Sequence, residues 1–167
     1  MGIRLRLLGV LATTALLGCE APDLTVPSAA EVESRYVSEH PLTVEMSGNV
    51  AEVTVVQPTA QLRRGGALWA KLGPYVYLFT ESTRELFESY GGLAGVRVVT
   101  RTPDGTEVAR ALLERDELND VTWRRALNIA GRARRDGTGR IRLMEELISW
   151  GEDHTTHHYG AAYTGNR

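Results

Sequence analysis

The sequence is poor in cysteine, lysine and aromatic residues, and these shortages exclude several classes of protein. A single cysteine cannot form an intrachain disulfide, nor can it supply the thiolates of a zinc ribbon or an iron–sulfur site. With 19 Lys plus Arg against 21 Asp plus Glu, the formal net charge is -2. This balance lacks the basic excess of nucleic-acid-binding domains, so no nucleic-acid partner is expected. A chain of 167 residues that is 43% hydrophobic favours one globular domain with its own core.

The chain also has no apolar run of membrane-spanning length, but it begins with a shorter one. Arg4 and Arg6 precede an apolar run over residues 7–17. A membrane-spanning helix needs about 20 apolar residues, whereas a basic start followed by a short apolar run is typical of a secretory signal peptide. The run ends in the sequence Leu16, Leu17, Gly18, Cys19. This N-terminus resembles that of bacterial lipoprotein precursors, whose signal peptide ends in a lipobox.

The resemblance covers residues 1–19 and implies how the chain is processed. Leu16, Leu17 and Gly18 would be recognised by the signal peptidase, which cuts before Cys19, and the Cys19 sulfur would carry a diacylglycerol group. The covalent lipid is then the one attached group expected, with no cofactor. The resemblance places the domain in the cell envelope, facing the periplasm or the exterior. Glu20, rather than Asp, after the cysteine favours the outer membrane over the inner one.

The remaining sequence predicts four consecutive regions. Residues 1–18 are the signal peptide, residues 19–27 a Pro-containing polar tether, residues 28–150 a single α+β domain, and residues 151–167 a flexible tail that contains histidines. Ser28 with Glu31 is a capping box, which predicts that a helix begins there.

The pattern over residues 42–113 indicates mostly strands. A valine-rich run follows Gly48, and the apolar and aromatic run over residues 68–79, which follows Gly65-Gly66, is also interpreted as strand. The turn sequence over residues 102–106 predicts a hairpin. Residues 120–150 show helical spacing. We therefore expect an α+β fold: a small, mainly antiparallel sheet with helices packed on one face.

Three histidines near the C-terminus are candidate metal ligands. The imidazole rings of His154, His157 and His158 suit zinc, copper or nickel, and His154 and His157 would share one face of a helix. The alternative is a solvated tail that binds no metal. No Glu stands inside an H-E-x-x-H arrangement, and no serine lies in a G-x-S-x-G elbow, so the sequence does not predict a catalytic residue.

An arginine-rich segment is a candidate contact surface for a partner or for lipid head groups. Arginine can donate two hydrogen bonds at once to a phosphate or a carboxylate. The alternative is an ordinary solvated helix face. The candidate residues are Arg124, Arg125, Arg132, Arg134 and Arg135.

Four aromatic residues form the last feature of interest. On a strand, Trp69 would share a face with Tyr75, Tyr77 and Phe79. An exposed set would be a docking surface, and a buried set would be core. Both interpretations remain open, although burial is favoured.

These observations lead to three hypotheses for the function. The first is a non-enzymatic lipoprotein, anchored in the envelope membrane, that binds or braces another envelope component. A narrower form is an extrinsic accessory subunit of a membrane electron-transfer or photosynthetic complex. The second is a periplasmic metal-dependent hydrolase that uses the tail histidines, and the third is a carrier of a soluble ligand, which would need a closed apolar pocket. The identity of the partner, the oligomeric state and the final membrane do not follow from the sequence.

Overall fold

A computed structural model describes residues 23–165, which form five strands and seven helices. The predicted signal peptide and the predicted lipid-bearing Cys19 lie outside the described residues. The strands are β1 (Leu42–Ser47), β2 (Val50–Val56), β3 (Gly95–Arg101), β4 (Glu107–Glu114) and β5 (Thr156–Tyr159). The helices are α1 (Ala29–Arg35), α2 (Thr59–Leu72), α3 (Tyr75–Leu78), α4 (Glu81–Ser89), α5 (Asp120–Asp136), α6 (Ile141–His154) and α7 (Ala161–Thr164).

The five strands form one mixed sheet in the order β1-β2-β3-β4-β5. β2 and β3 run parallel, and the other neighbouring pairs are antiparallel. The α+β class is confirmed, but the prediction of a mainly antiparallel sheet is corrected to a mixed one. The cause is the segment between β2 and β3: it forms helices that cross over the sheet, and a crossover returns the chain in the same direction.

One face of the sheet is apolar and the other is charged. On β2, Ala51, Val53 and Val55 are buried, and they alternate with half-exposed residues. Helices α1 to α6 all contribute buried residues to the core that covers this face. The opposite face carries Glu52 and Arg97, which form an ion pair at 3.0 Å. Because only one face is apolar, the helices lie on that side.

The crossover begins with a helix that is broken at Gly66. This residue has φ 56° and ψ -142°, a conformation that only glycine adopts readily. The strand predicted over residues 68–79 is wrong: residues 68–72 lie in α2 and residues 75–78 form α3. The Gly65-Gly66 pair indicated a break, but it kinks a helix instead of separating strands. Tyr75 and Phe79 are fully buried, and their rings stack at 6.1 Å between centroids.

Several local predictions are confirmed. Ser28 and Glu31 form the capping box of α1. The hairpin over residues 102–106 joins β3 to β4, with Gly105 at φ 86°. α5 begins at Asp120, the first residue of the predicted helical segment; its N-cap is Asn119, which was not predicted and whose side-chain oxygen accepts from the backbone N–H groups of Val121 and Thr122.

The second half of the predicted tether, residues 23–27, is packed against the domain and is not a free linker. Residues Asp23–Pro27 lie against the turn after α4 and form what we call the N-terminal strap. The backbone N–H of Gly92 donates to the Thr25 carbonyl at 2.8 Å, and that of Gly91 donates to the Asp23 carboxylate at 3.3 Å. A Cβ on Gly91 or Gly92 would overlap the strap backbone. The chain is thus fixed to the domain from Asp23 onward.

Residues 151–165, which were expected to form a flexible tail, belong to the folded domain. Residues 151–154 complete α6, and β5 pairs with β4 as an edge strand. The Tyr159 hydroxyl holds β5 in place: it lies 2.6 Å from the Tyr75 hydroxyl and donates to Glu152 at 3.1 Å. Glu152 in turn pairs with Lys71, the single lysine of the chain, at 3.3 Å. The tail sequence has no aliphatic side chain larger than that of alanine, so hydrogen bonds and aromatic contacts order it.

Among residues 23–165, no helix is both long and apolar enough to span a bilayer.

We expect Gly66→Ala to lower the free energy of unfolding by about 1 to 3 kcal/mol, because alanine is strained at a positive φ with ψ near the extended range. The matched control is Gly131→Ala inside α5, where an added Cβ meets no atom within 4 Å. That control should stabilise the protein by about 0.5 to 1 kcal/mol. Urea unfolding of both variants measures the difference. If Gly66→Ala is as stable as wild type, the kink accepts a side chain without strain and the prediction is wrong.

We expect the tyrosine contact at β5 to make stability fall at alkaline pH. Burial raises the pKa of Tyr75 from 10.0 to about 12, and burial also raises the pKa of Tyr159. Folding favours the neutral phenols, so this contribution is complete below pH 10 and is lost as the pH rises towards 12. Tyr159→Phe should cost about 0.5 to 1.5 kcal/mol near neutral pH and should flatten the alkaline decline.

Urea unfolding at about pH 8, 10 and 11 tests this, with Tyr163→Phe on α7 as the control. If the alkaline decline has the same slope in Tyr159→Phe as in wild type, the contact between the two hydroxyl groups does not control it.

Candidate functional site

An open groove lies at one end of the sheet, above the ends of β2 and β3. Its floor is formed by the end of α2 and by α3, one wall by residues 36–40, and the other by the end of α5 and the start of α6. The cavity has a volume of about 490 Å³, and a smaller pocket of about 90 Å³ adjoins it. This volume lies within the range of ligand-binding sites in proteins. We call the two together the aromatic groove, because Trp69 and Tyr77 line both.

Trp69 is positioned by the kink in α2. The indole ring lies directly over Gly65, where a Cβ would overlap it. The backbone of Trp69 is held as well, since its carbonyl accepts a hydrogen bond from the Gln57 side chain at 3.0 Å. The two glycines of α2 therefore have separate roles: Gly66 turns the chain, and Gly65 leaves room for the ring.

Tyr77 is held from the opposite wall. Its hydroxyl lies 3.2 Å from the Ser38 hydroxyl, which donates to the His40 carbonyl at 2.8 Å. Val37 lies on the same wall and is 96% exposed, so an apolar side chain stands at the rim with no cover. The groove is thus preformed, with its rings fixed and part of its apolar surface open to solvent.

The smaller pocket has a polar group at its inner end. Gln57 is buried among Thr100, Leu72 and Gly73, and its amide nitrogen donates a hydrogen bond to the Trp69 carbonyl. Its amide oxygen is buried and has no hydrogen-bond partner among the described residues. An unpaired buried acceptor costs about 1 to 3 kcal/mol, so the inner end of the groove is locally unfavourable without a donor.

Arg134 connects the groove wall to its floor. The guanidinium donates to the carbonyls of Val76 at 2.7 Å and Phe79 at 3.3 Å, which satisfies the end of α3. Desolvation by the groove wall lowers the pKa of Arg134. This residue was a candidate for contact with a partner or lipid; two of its hydrogen bonds are made inside the domain, while the side chain stays exposed.

The other candidate arginines do not form one open basic face. The Arg132 guanidinium binds both oxygens of Glu146, at 2.9 and 3.0 Å. Arg125 lies over the Trp150 ring at 4.8 Å, and Arg135 lies 3.6 Å from Asp136. Arg124 is exposed. Contact of the exposed arginines with lipid head groups remains a prediction.

The three candidate metal ligands do not converge. His154 lies at the end of α6, where its Nδ1 is 3.1 Å from Glu117 and its ring is tilted by 46° against Trp150, with 4.2 Å between the ring centroids. His157 and His158 are neighbours on β5 and so point to opposite faces of the sheet. Over residues 23–165, no group of three His, Cys, Asp or Glu side chains is arranged to hold a metal ion. The predicted helix carrying His154 and His157 on one face is wrong, because the helix ends at His154.

A second depression, of about 470 Å³, lies on the charged face of the sheet. Its cations are largely paired: Arg97 with Glu52 at 3.0 Å, and Arg110 with Glu107 at 3.6 Å. His158 lies beside the same Glu107, also at 3.6 Å. Because these charges largely neutralise one another, the aromatic groove is the stronger candidate for a binding site.

The sequence indicated some parts of the aromatic groove and missed others. Trp69 and Tyr77 were singled out as a possible docking surface, and the structure places them together in the groove. Tyr75 and Phe79, from the same set, are core. Residues 36–40 gave no signal as a wall, because their position depends on how α1 and β1 pack.

No family model matches the chain, and neither a curated protein nor a solved structure matches it significantly.

We expect Gly65→Ala to displace the Trp69 ring, because the new methyl group occupies the space of the indole. Trp123 and Trp150 are buried, at 5% and 8% exposure, so Trp69 should account for most of the emission that acrylamide quenches. Quenching should rise in Gly65→Ala and should nearly vanish in Trp69→Phe. Gly65→Ala in the Trp69→Phe background is the control. Unchanged quenching in Gly65→Ala would contradict the proposed seat of the ring.

Proposed function

We propose that this chain is a lipid-anchored protein of the bacterial cell envelope that binds another envelope component in the aromatic groove and has no catalytic role. Cys19 carries the lipid, and the described domain carries the binding site. The partner is a protein that inserts an apolar or aromatic side chain between Trp69 and Tyr77. The narrower form, in which the partner belongs to a membrane electron-transfer or photosynthetic complex, is one case of this function.

The observation that carries the proposal is the preformed aromatic groove. Trp and Tyr are the residues most enriched where binding energy concentrates in protein interfaces. Here both rings are fixed before any partner arrives, by Gly65 under Trp69 and by Ser38 against Tyr77. A fixed site loses little side-chain entropy on binding, so more of the contact energy remains as affinity.

The hydrolase alternative receives no support from the arrangement of the histidines. It requires ligands that converge on one ion, whereas His154 contacts Glu117, and His158 lies beside Glu107 on another element. The binding hypothesis uses Trp69 and Tyr77, which line the same groove.

The partner is tested with a photo-crosslinking amino acid at position 37, on the exposed rim of the groove. The matched control is position 43 on β1, which is also exposed but lies on the charged face of the sheet. In cells that make the native lipidated protein, we expect one discrete crosslinked protein from position 37 and none from position 43. Val37→Asp should reduce recovery of that protein in a detergent pull-down by about tenfold, as expected for a loss of about 1.4 kcal/mol.

Equal crosslinking from both positions, or recovery unaffected by Val37→Asp, would contradict binding in the groove. The anchor is tested separately. A fatty-acid probe should label the wild-type chain and leave Cys19→Ser unlabelled, and an unlabelled wild-type chain would refute the lipoprotein assignment.

A further inference from the structure

The structure fixes where the lipid-bearing segment leaves the domain. The N-terminal strap begins at Asp23, whose carboxylate accepts from the backbone N–H groups of Thr25 at 2.9 Å and Gly91 at 3.3 Å. Those hydrogen bonds lower the pKa of Asp23, and the bond from the Thr25 backbone has the largest effect. The carboxylate is therefore charged when it holds the strap. The strap then pairs with Gly92 through Thr25, and Pro27 is buried.

The turn under the strap is itself rigid. The Arg115 guanidinium donates to the carbonyls of Phe87, Leu93 and Tyr90, and so binds the end of α4 to the start of β3. Ala94 adds a bond to the Asn49 carbonyl at 2.8 Å. The strap therefore lies on a fixed surface at one end of the sheet. We call this end the strap pole; it comprises the turn between β1 and β2, the turn before β3 and the loop after β4.

The aromatic groove lies at the other end of the same strands. β2 runs from Val50, beside the strap pole, to Val56, and the next residue is Gln57 at the inner end of the groove. Seven residues of strand span about 20 Å. The strap pole and the groove are separated by the full height of the sheet.

The length of chain before the strap limits how far the domain can move from the lipid. Cys19 precedes Asp23 by four residues, and four residues span at most about 14 Å. Because the chain is held to the domain from Asp23 onward, the strap pole must stay within about 14 Å of the lipid-bearing residue. On the basis of the proposed function, we infer that the strap pole faces the bilayer surface and that the aromatic groove opens on the side away from the membrane.

The charges of the strap pole define the kind of contact. Glu114, Asp116, Glu117 and Asp120 are exposed there, and Leu24 is 74% exposed beside them. An acidic surface is repelled by anionic lipids and does not insert. The lipid and the strap therefore hold the strap pole near the bilayer, with a layer of water between them. Among the residues that line this surface, Leu24 is the one large apolar side chain that is exposed. The partner must therefore extend at least about 20 Å from the bilayer to reach the groove.

The test measures which end of the lipidated protein is close to lipid. Two variants, each labelled at one introduced cysteine, are compared: Asn49→Cys at the strap pole and Thr59→Cys at the groove end. Both positions are exposed. The Cys19 thiol is blocked by its lipid. The full-length protein is reconstituted into phosphatidylcholine vesicles whose head groups carry a nitroxide quencher. We expect the Asn49 label to be quenched several-fold more strongly than the Thr59 label.

Two variants separate the strap from the anchor. Gly92→Ala places a methyl group on the strap backbone, so the strap cannot lie against its turn; the difference between the two labels should then shrink, while Gly131→Ala should leave it unchanged. Inserting about 12 flexible Gly/Ser residues between Ala21 and Pro22 leaves the strap intact but lengthens the connection, so quenching should fall at both positions. Circular dichroism confirms that each variant is folded, and the insertion decides the case if Gly92→Ala does not fold.

The two levels of the hypothesis fail differently. If intact mass shows no lipid on Cys19, the proposed function is refuted. If the protein carries the lipid but both labels are quenched equally, or the Thr59 label more strongly, the orientation is wrong and the lipoprotein assignment stands.

Discussion

The apolar face of the sheet is the constraint on which the structure depends. Val53 and Val98 lie side by side at its centre, and neither is exposed. Burying a valine contributes about 1.5 to 3 kcal/mol, so a sheet with one such face must be covered on that side. The charged opposite face offers no comparable gain. The helices of the crossover and the long pair α5 and α6 therefore share one side, and the groove forms where their ends meet above the strands.

Glycine, rather than the apolar residues, shapes the groove itself. Gly66 allows α2 to turn sharply, and Gly65 allows an indole to lie on the helix backbone. Without the kink, α2 would continue in one direction and Trp69 would face elsewhere. At the other pole, Gly91 and Gly92 admit the N-terminal strap for the same steric reason. Two glycine pairs thus fix the two ends of the molecule that the proposed function uses.

The sequence predicted the parts of the fold that are determined locally. The Ser28–Glu31 capping box and the turn over residues 102–106 depend on neighbours in the chain, and both are confirmed. The apolar run around Trp69 and Tyr75 is compatible with strand or helix, and tertiary packing makes it helical. β5 has almost no strand signal, because it is stabilised by a pairing with β4 and by the Tyr75–Tyr159 contact across 84 residues. The walls of the groove come from distant segments, which is why residues 36–40 gave no signal.

The pairing of β5 with β4 also covers one edge of the sheet. Among the described residues, β5 is the strand nearest the C-terminus, and without it the eight residues of β4 present an open edge. Open edges template pairing with other chains, which is a route to aggregation. Once β5 is in place, the outermost strand is only four residues long and carries two imidazoles. A chain cut before Thr156 would leave this edge exposed, whereas β5 covers residues 109–112 of it.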